Sequence, residues 1–131
     1  MKKLILISVL LLLVASNGWA YSESDLSKLK ATNACTGCDL SGADLGRADL
    51  GRAMLPGANL SGADLRGTNL TNAYLRGADL RSADLRRANL TNAYLRGADL
   101  TKSNLKRATL NGVIYCKTKM PWGEINDHCE E

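Results

Sequence analysis

A leucine stands at every fifth position from Leu40 to Leu110, fifteen in succession. Two places before each stands a small residue, Ala in most repeats and Cys38, Thr68 and Ser103 in three of them, and the residue between is usually Asp or Asn. Five residues advance an α-helix by about 500°, so successive leucines would drift about 140° round the cylinder, and on a flat strand an odd spacing throws alternate leucines to opposite faces. Neither element keeps the leucines together. A chain that holds them all inside must turn a corner once per repeat and stack its coils about 4.8 Å apart, each pairing with the coils above and below. The spacing therefore predicts a β-solenoid.

The segment Thr71–Leu80 recurs letter for letter as Thr91–Leu100, twenty residues or four repeats later, so one turn takes four repeats and the cross-section is square. Fifteen repeats make about four coils, a rod about 18 Å tall. Leu45, Leu60, Leu75, Leu80 and Leu95 are expected in its core with the other repeat leucines. The core must be aliphatic, because aromatics are 5% of the chain and Phe is absent. A chain of 131 residues holds one small domain, which excludes an enzyme with separate cofactor and substrate lobes.

Ala-Asp-Leu-X-X runs such as Ala43-Asp44-Leu45 and Ala78-Asp79-Leu80 resemble the pentapeptide repeat proteins over residues 39–115. The resemblance implies an all-β fold, a right-handed quadrilateral β-helix. The flanks are similar to those of exported members of that family, with Cys35-Thr36-Gly37-Cys38-Asp39-Leu40 leading in and Cys116 to Cys129, with Met120-Pro121 and Gly123, leading out. Met54, Tyr74 and Tyr94 depart from the Asp/Asn slot, Pro56 interrupts one side, and Tyr115 takes a leucine slot as a candidate lid.

Lys2 and Lys3, the apolar run Leu4–Ala15, and small residues at Gly18 and Ala20 read as a signal peptide cleaved after Ala20. The run is short for a membrane span; a retained anchor is the alternative, and no span is expected after cleavage. The expected organisation is a signal peptide at 1–20, an N-terminal cap at 21–38, the solenoid at 39–115 and a C-terminal cap at 116–131. Ser24 to Leu29 suits a short helix over the lower opening. A hairpin turning at Trp122-Gly123 would bring Cys116 opposite Cys129. In an exported chain these two are expected to form one disulfide and Cys35 and Cys38 another.

A redox use of Cys35 and Cys38 is the weaker reading, because Cys38 occupies an inward small-residue slot. No metal site is expected, since the cysteine pairs lie at opposite ends of the rod. His128 reads as a solvated surface residue. No catalytic constellation or cofactor motif stands apart from the repeat, so neither catalysis nor a cofactor is expected.

Residues twenty apart stack, so each outer wall reads as a column. The first carries Asp39, Asn59, Asp79 and Asp99, with Arg81 and Lys102 beside them. The second is basic: Arg47, Arg66, Arg86, Arg87, Lys106 and Arg107 stand against Asp44, Asp64 and Asp84. The third is neutral, with Asn69 over Asn89, Thr71 over Thr91 and Asn72 over Asn92, which can ladder up the stack. The fourth is an apolar stripe of Met54, Tyr74, Tyr94 and Ile114 bordered by Arg76 and Arg96. The bland reading is that the tyrosines merely stack and the arginines merely solubilise.

The leading functional expectation is a non-catalytic exported rod that offers its basic face and its Tyr/Met/Ile stripe to an unknown protein or envelope component, or to a second copy of itself. The first alternative is a DNA mimic that binds topoisomerases, as some relatives do. The repeat walls oppose it with 11 Lys/Arg against 7 Asp, as does the export signal, and no nucleic-acid partner is expected. The second is a thiol–disulfide redox protein using Cys35 and Cys38.

Overall fold

The computed structural model describes residues 21–127, 129 and 130; the expected signal segment and His128 lie outside the described residues. From Ala34 to Lys119 the chain winds as a ladder of parallel bridges between residues twenty apart. Four five-residue sides make each coil. Side one stacks Asp39, Asn59, Asp79, Asp99 and Lys119, and side two stacks Asp44, Asp64, Asp84 and Asn104. Side three stacks Asp49, Asn69, Asn89 and Thr109, and side four stacks Ala34, Met54, Tyr74, Tyr94 and Ile114.

The corner is made locally. Each repeat leucine carbonyl accepts from the N–H three residues on, as Leu40 does from Ala43 at 3.1 Å and Leu75 from Ala78 at 3.0 Å. The second residue after the leucine is left-handed, Gly42 at φ 69° and Arg87 at φ 59°. That combination is a type II turn. Between corners three hydrogen bonds tie a side to the next coil: on side two, Leu45 N–H donates to Asp64 O at 2.8 Å, Arg47 N–H to Arg66 O at 2.8 Å, and Asp64 N–H to Ala43 O at 2.9 Å. The first turn residue points its N–H out of this ladder. The Asp or Asn two places earlier accepts it, Asp64 from Arg66 at 3.1 Å and Asn69 from Thr71 at 3.0 Å. A short carboxylate or amide reaches its own backbone in this way and no longer side chain does so as well, which accounts for the Asp/Asn slot.

Leucine points to the axis once per side. Leu60, Leu75, Leu80 and Leu95 are fully buried and Leu45 is 2% exposed. The alanines two places earlier are buried with them and let the walls approach. Leu26 and Leu29 of helix α1 (Glu23–Thr32) join the same apolar cluster. The Ser22 hydroxyl caps α1 by accepting from Asp25 N–H, and Asn33, at φ 56°, closes its other end. Asp25 Oδ2 accepts from Asp39 N–H at 2.8 Å, and Ser22 N–H donates to Asp39 O at 3.0 Å, fixing α1 to the first side.

The winding reaches one repeat beyond the expected 39–115 at each end. Cys35 and Met120 fill leucine slots and are buried, and Thr118 fills a small-residue slot. Its Oγ1 donates to Leu95 O at 2.7 Å, as Thr68 Oγ1 does to Leu45 O. Strand β1 (Thr118–Met120) then pairs antiparallel with β2 (Gly123–Ile125), Met120 opposite Gly123. The turn is therefore Pro121–Trp122, one residue earlier than expected. Proline has no N–H to give a ladder and its fixed φ suits the first turn position, while Gly123 opens β2 at φ 138°. Among the described residues no helix is long and apolar enough to cross a membrane.

Candidate binding faces

Side four owes its surface to what its slot residues cannot do. Met54, Tyr74 and Tyr94 put no short acceptor beside the turn N–H that Asp or Asn caps elsewhere, and at Met54 the turn residue is Pro56, which has no N–H to satisfy. The column forgoes about 0.5–1.5 kcal/mol for each missing bond and displays apolar surface instead. Met54 is 42% exposed and Tyr74 41%. The Tyr74 and Tyr94 rings lie face to face, centroids 4.7 Å apart and planes 2° from parallel, a contact worth about 0.5–1.5 kcal/mol. Tyr94 and Ile114, higher on the stripe, are half-buried.

The two arginines beside the stripe differ. Arg96 is half-buried and its Nη2 donates to Cys129 O at 3.1 Å, bracing the C-terminal segment. Arg76 is exposed and its guanidinium has no hydrogen-bond or ion-pair partner among the described residues. With Lys117 and the Cys116–Cys129 pair they line a recess of about 420 Å³ over Gly77 and Gly97. Among the described residues three cations and no carboxylate line it. Both glycines are left-handed, φ 67° and 69°, and the absence of side chains there leaves the space open.

Side two holds a larger recess, about 600 Å³, lined by Asp44, Gly46, Arg47, Asp64, Arg66, Gly67, Arg86 and Arg87. Its charge is partly spent internally. Arg66 forks onto Asp64 at 2.8 and 2.6 Å, and Arg86 forks onto Asp84 at the same distances. Arg66 Nε also lies 3.8 Å from Asp84. These hydrogen-bonded guanidinium groups hold the Asp64 and Asp84 carboxyls below the usual carboxylate range and raise their own pKa values. Arg47, Arg87, Lys106 and Arg107 carry no ion pair among the described residues. On side one Arg81 is clamped in the same way by Asp79.

Side three differs from its expected ladder. One rung is present, Asn69 Nδ2 donating to Asp49 Oδ1 at 2.9 Å, while Asn89 Oδ1 accepts from Thr91 within its own coil. Asp49 Oδ1 serves turn and ladder together, accepting from Gly51 N–H at 3.2 Å as well as from Asn69, whereas Asn89 Oδ1 caps its own turn. Sequence reasoning misses this turn-capping role of the Asp/Asn slot, although its fixed place before each corner carries the signal.

Cys35 is bonded to Cys38, Cα atoms 5.4 Å apart, and Cys116 to Cys129, Cα atoms 4.8 Å apart. Cys35 and Cys38 are buried, closed to the in-line approach of another protein's thiolate that disulfide exchange needs.

A protein-family model described as pentapeptide repeats matches residues 34–72 and 73–112, in eight copies. Among solved structures the chain is similar to HetL, a pentapeptide repeat protein involved in heterocyst differentiation regulation from the cyanobacterium Nostoc sp. strain PCC 7120, at 40% identity and TM-score 0.68. That match covers 70% of this chain and 42% of HetL, so the chain spans less than half of HetL's length. The pentapeptide repeat protein Rfr23 from the cyanobacterium Cyanothece 51142 matches at 32% identity and TM-score 0.47, over 72% of this chain and 96% of its own. A pentapeptide repeat protein of the Arabidopsis thaliana thylakoid lumen matches at 31% identity and TM-score 0.36, over 86% and 79%. A comparison with curated proteins finds no significant match.

Proposed function

The chain belongs to the pentapeptide repeat family and shares its right-handed quadrilateral β-helix, and we propose that it acts without catalysis, as an exported rod whose side four docks an envelope partner. In this reading residues 1–20 are a signal peptide, and about four coils stand between α1 below and the hairpin above. The observation that carries it is the stripe itself: a slot that elsewhere caps the turn is given over to Met54 and the stacked pair Tyr74 and Tyr94, with the guanidinium of Arg76, unpaired among the described residues, alongside. Flat stacked aromatics with a cation at their edge suit a partner that presents apolar surface beside an anionic group. Side two is the secondary surface, through Arg47, Arg87, Lys106 and Arg107, because Arg66 and Arg86 are already clamped. Two disulfides fit an oxidising compartment.

The test is photo-crosslinking in living cells from a probe at Tyr74, the more exposed of the two rings, with mass analysis of the product. A heterologous adduct that disappears in an Arg76→Glu background supports the reading. An adduct of twice the mature mass assigns the stripe to self-association, and no adduct from Tyr74 or Met54 overturns it.

A further inference from the structure

We propose that the C-terminal end of the rod, over sides two and three, accepts one extended acidic segment of a partner protein, which adds a parallel strand along that end. The segment's pattern is small–acidic–aliphatic, repeated at a five-residue interval. The site is separate from side four and does not depend on it.

Lower in the stack every exit of the ladder is used. Leu85, Arg87, Leu90 and Asn92 donate their N–H groups to the carbonyls of Asn104, Lys106, Thr109 and Asn111 above them, at 2.8, 3.0, 2.8 and 2.9 Å. The carbonyls of Ala83 and Ala88 accept from Asn104 and Thr109 at 3.0 and 2.9 Å. One coil higher the equivalent groups are the N–H groups of Leu105, Arg107, Leu110 and Gly112 and the carbonyls of Ser103 and Ala108. None of these six has a partner among the described residues. On the neighbouring sides the end is finished: β1 lies above Asp99 and pairs with β2, and Lys117 N–H donates to the Asn126 side chain at 3.0 Å. Half of the end is closed and half is an open sheet edge, which templates strand addition.

A further observation coincides there. Leu105 and Leu110 are half-buried, unlike the repeat leucines from Leu40 to Leu100, all of which are buried. An added strand would complete the apolar layer.

The rim sets the chemistry. Lys102, Lys106 and Arg107 border the two sides, Asn104 replaces the aspartates of the column below it, Thr109 tops a column that ends in Asn89, and residues 100–113 contain no carboxylate. A second copy laid edge to edge would bring the same three cations together, so the charge favours an acidic occupant. The ladder sets the register. The residue above Ser103 or Ala108 must be small, the next faces outward above Asn104 or Thr109 beside the cations, and the third lies over Leu105 or Leu110.

The test uses the mature, disulfide-bonded chain and a labelled peptide bearing two Ala-Asp-Leu triplets five residues apart. Fluorescence anisotropy is expected to show saturable one-to-one binding, and amide exchange is expected to slow at Leu105, Arg107, Leu110 and Gly112. A peptide with N-methylated aspartates keeps the charge but loses the two donors to Ser103 and Ala108; it and the Lys106→Glu/Arg107→Glu variant are each expected to bind about tenfold more weakly. Equal binding of the N-methylated peptide would reduce the site to charge attraction. Sedimentation as a dimer would assign the edge to a second copy, and no binding would mean that the cations only guard an open edge against aggregation; each of these results overturns the proposal.

Discussion

At each corner of the rod one residue is held at positive φ, and glycine fills that place only part of the time. Arg47, Arg52, Arg87 and Arg107 sit there at φ 59° to 62°, a conformation that costs an L-residue about 1–2 kcal/mol. Arg87→Gly is therefore expected to stabilise the rod by about 0.5–1 kcal/mol, after glycine's larger unfolded-state entropy is counted, and Gly97→Ala to destabilise it by about 1 kcal/mol; urea denaturation measures both. The Asp/Asn slot makes a second prediction. Hydrogen bonding to Arg86 depresses the Asp84 carboxyl in the folded chain, so its stabilisation is complete above the ordinary carboxylate value of about 4 and fades as pH falls through the depressed one. Asp84→Asn keeps the acceptor for Arg86 N–H but removes the charge. Thermal melts between pH 6 and pH 2 should show a smaller acid-side loss for this variant than for the parent chain, and identical losses would deny the ion pair any part in stability.

Among the elements, α1 and the hairpin show how far local signals reach. Leu26 and Leu29, three apart, mark α1 by spacing, but its start is misplaced: the sequence suggests Ser24, whereas Ser22 is the N-cap and α1 runs from Glu23 to Thr32. The hairpin is legible in kind and not in register, because the symmetric placement of Cys116 and Cys129 suggests a turn one residue away from the one that Pro121 dictates. The winding past the leucines is legible only in retrospect: Thr118-Lys119-Met120 and Ala34-Cys35 keep the five-residue slots while changing the letter that marks them. Each terminal element should matter measurably. Leu29→Ala removes a fully buried side chain beneath the first coil and should cost about 2–5 kcal/mol. Replacing Cys116 and Cys129 together by alanine should cost about 3 kcal/mol through the freedom that a loop of this length regains when unfolded, read from the midpoint of guanidinium unfolding.

For the molecule as a whole, the leucine period and the twenty-residue recurrence suffice for the architecture, because one side fixes the next and each coil touches only its neighbours. Leu75→Asp, which places a carboxylate on the axis at mid-stack, should leave no folded circular dichroism signal; a soluble variant with an unchanged spectrum would refute the core. The faces are less legible. Counting arginines on side two overstates its free charge, since the i, i+2 forks of Arg66 and Arg86 depend on how the Asp slot turns its carboxylate. The open edge over Leu105 and Leu110 follows from where the hairpin sits, which the repeat does not encode. The interstrand hydrogen bonds also run along the rod and join one coil to the next. A pull on the two ends therefore loads these contacts in series, so the chain should unwind like a spring released one loop at a time. Each loop of twenty residues should lengthen the tether by about 60–70 Å, a regular sawtooth in a single-molecule force trace.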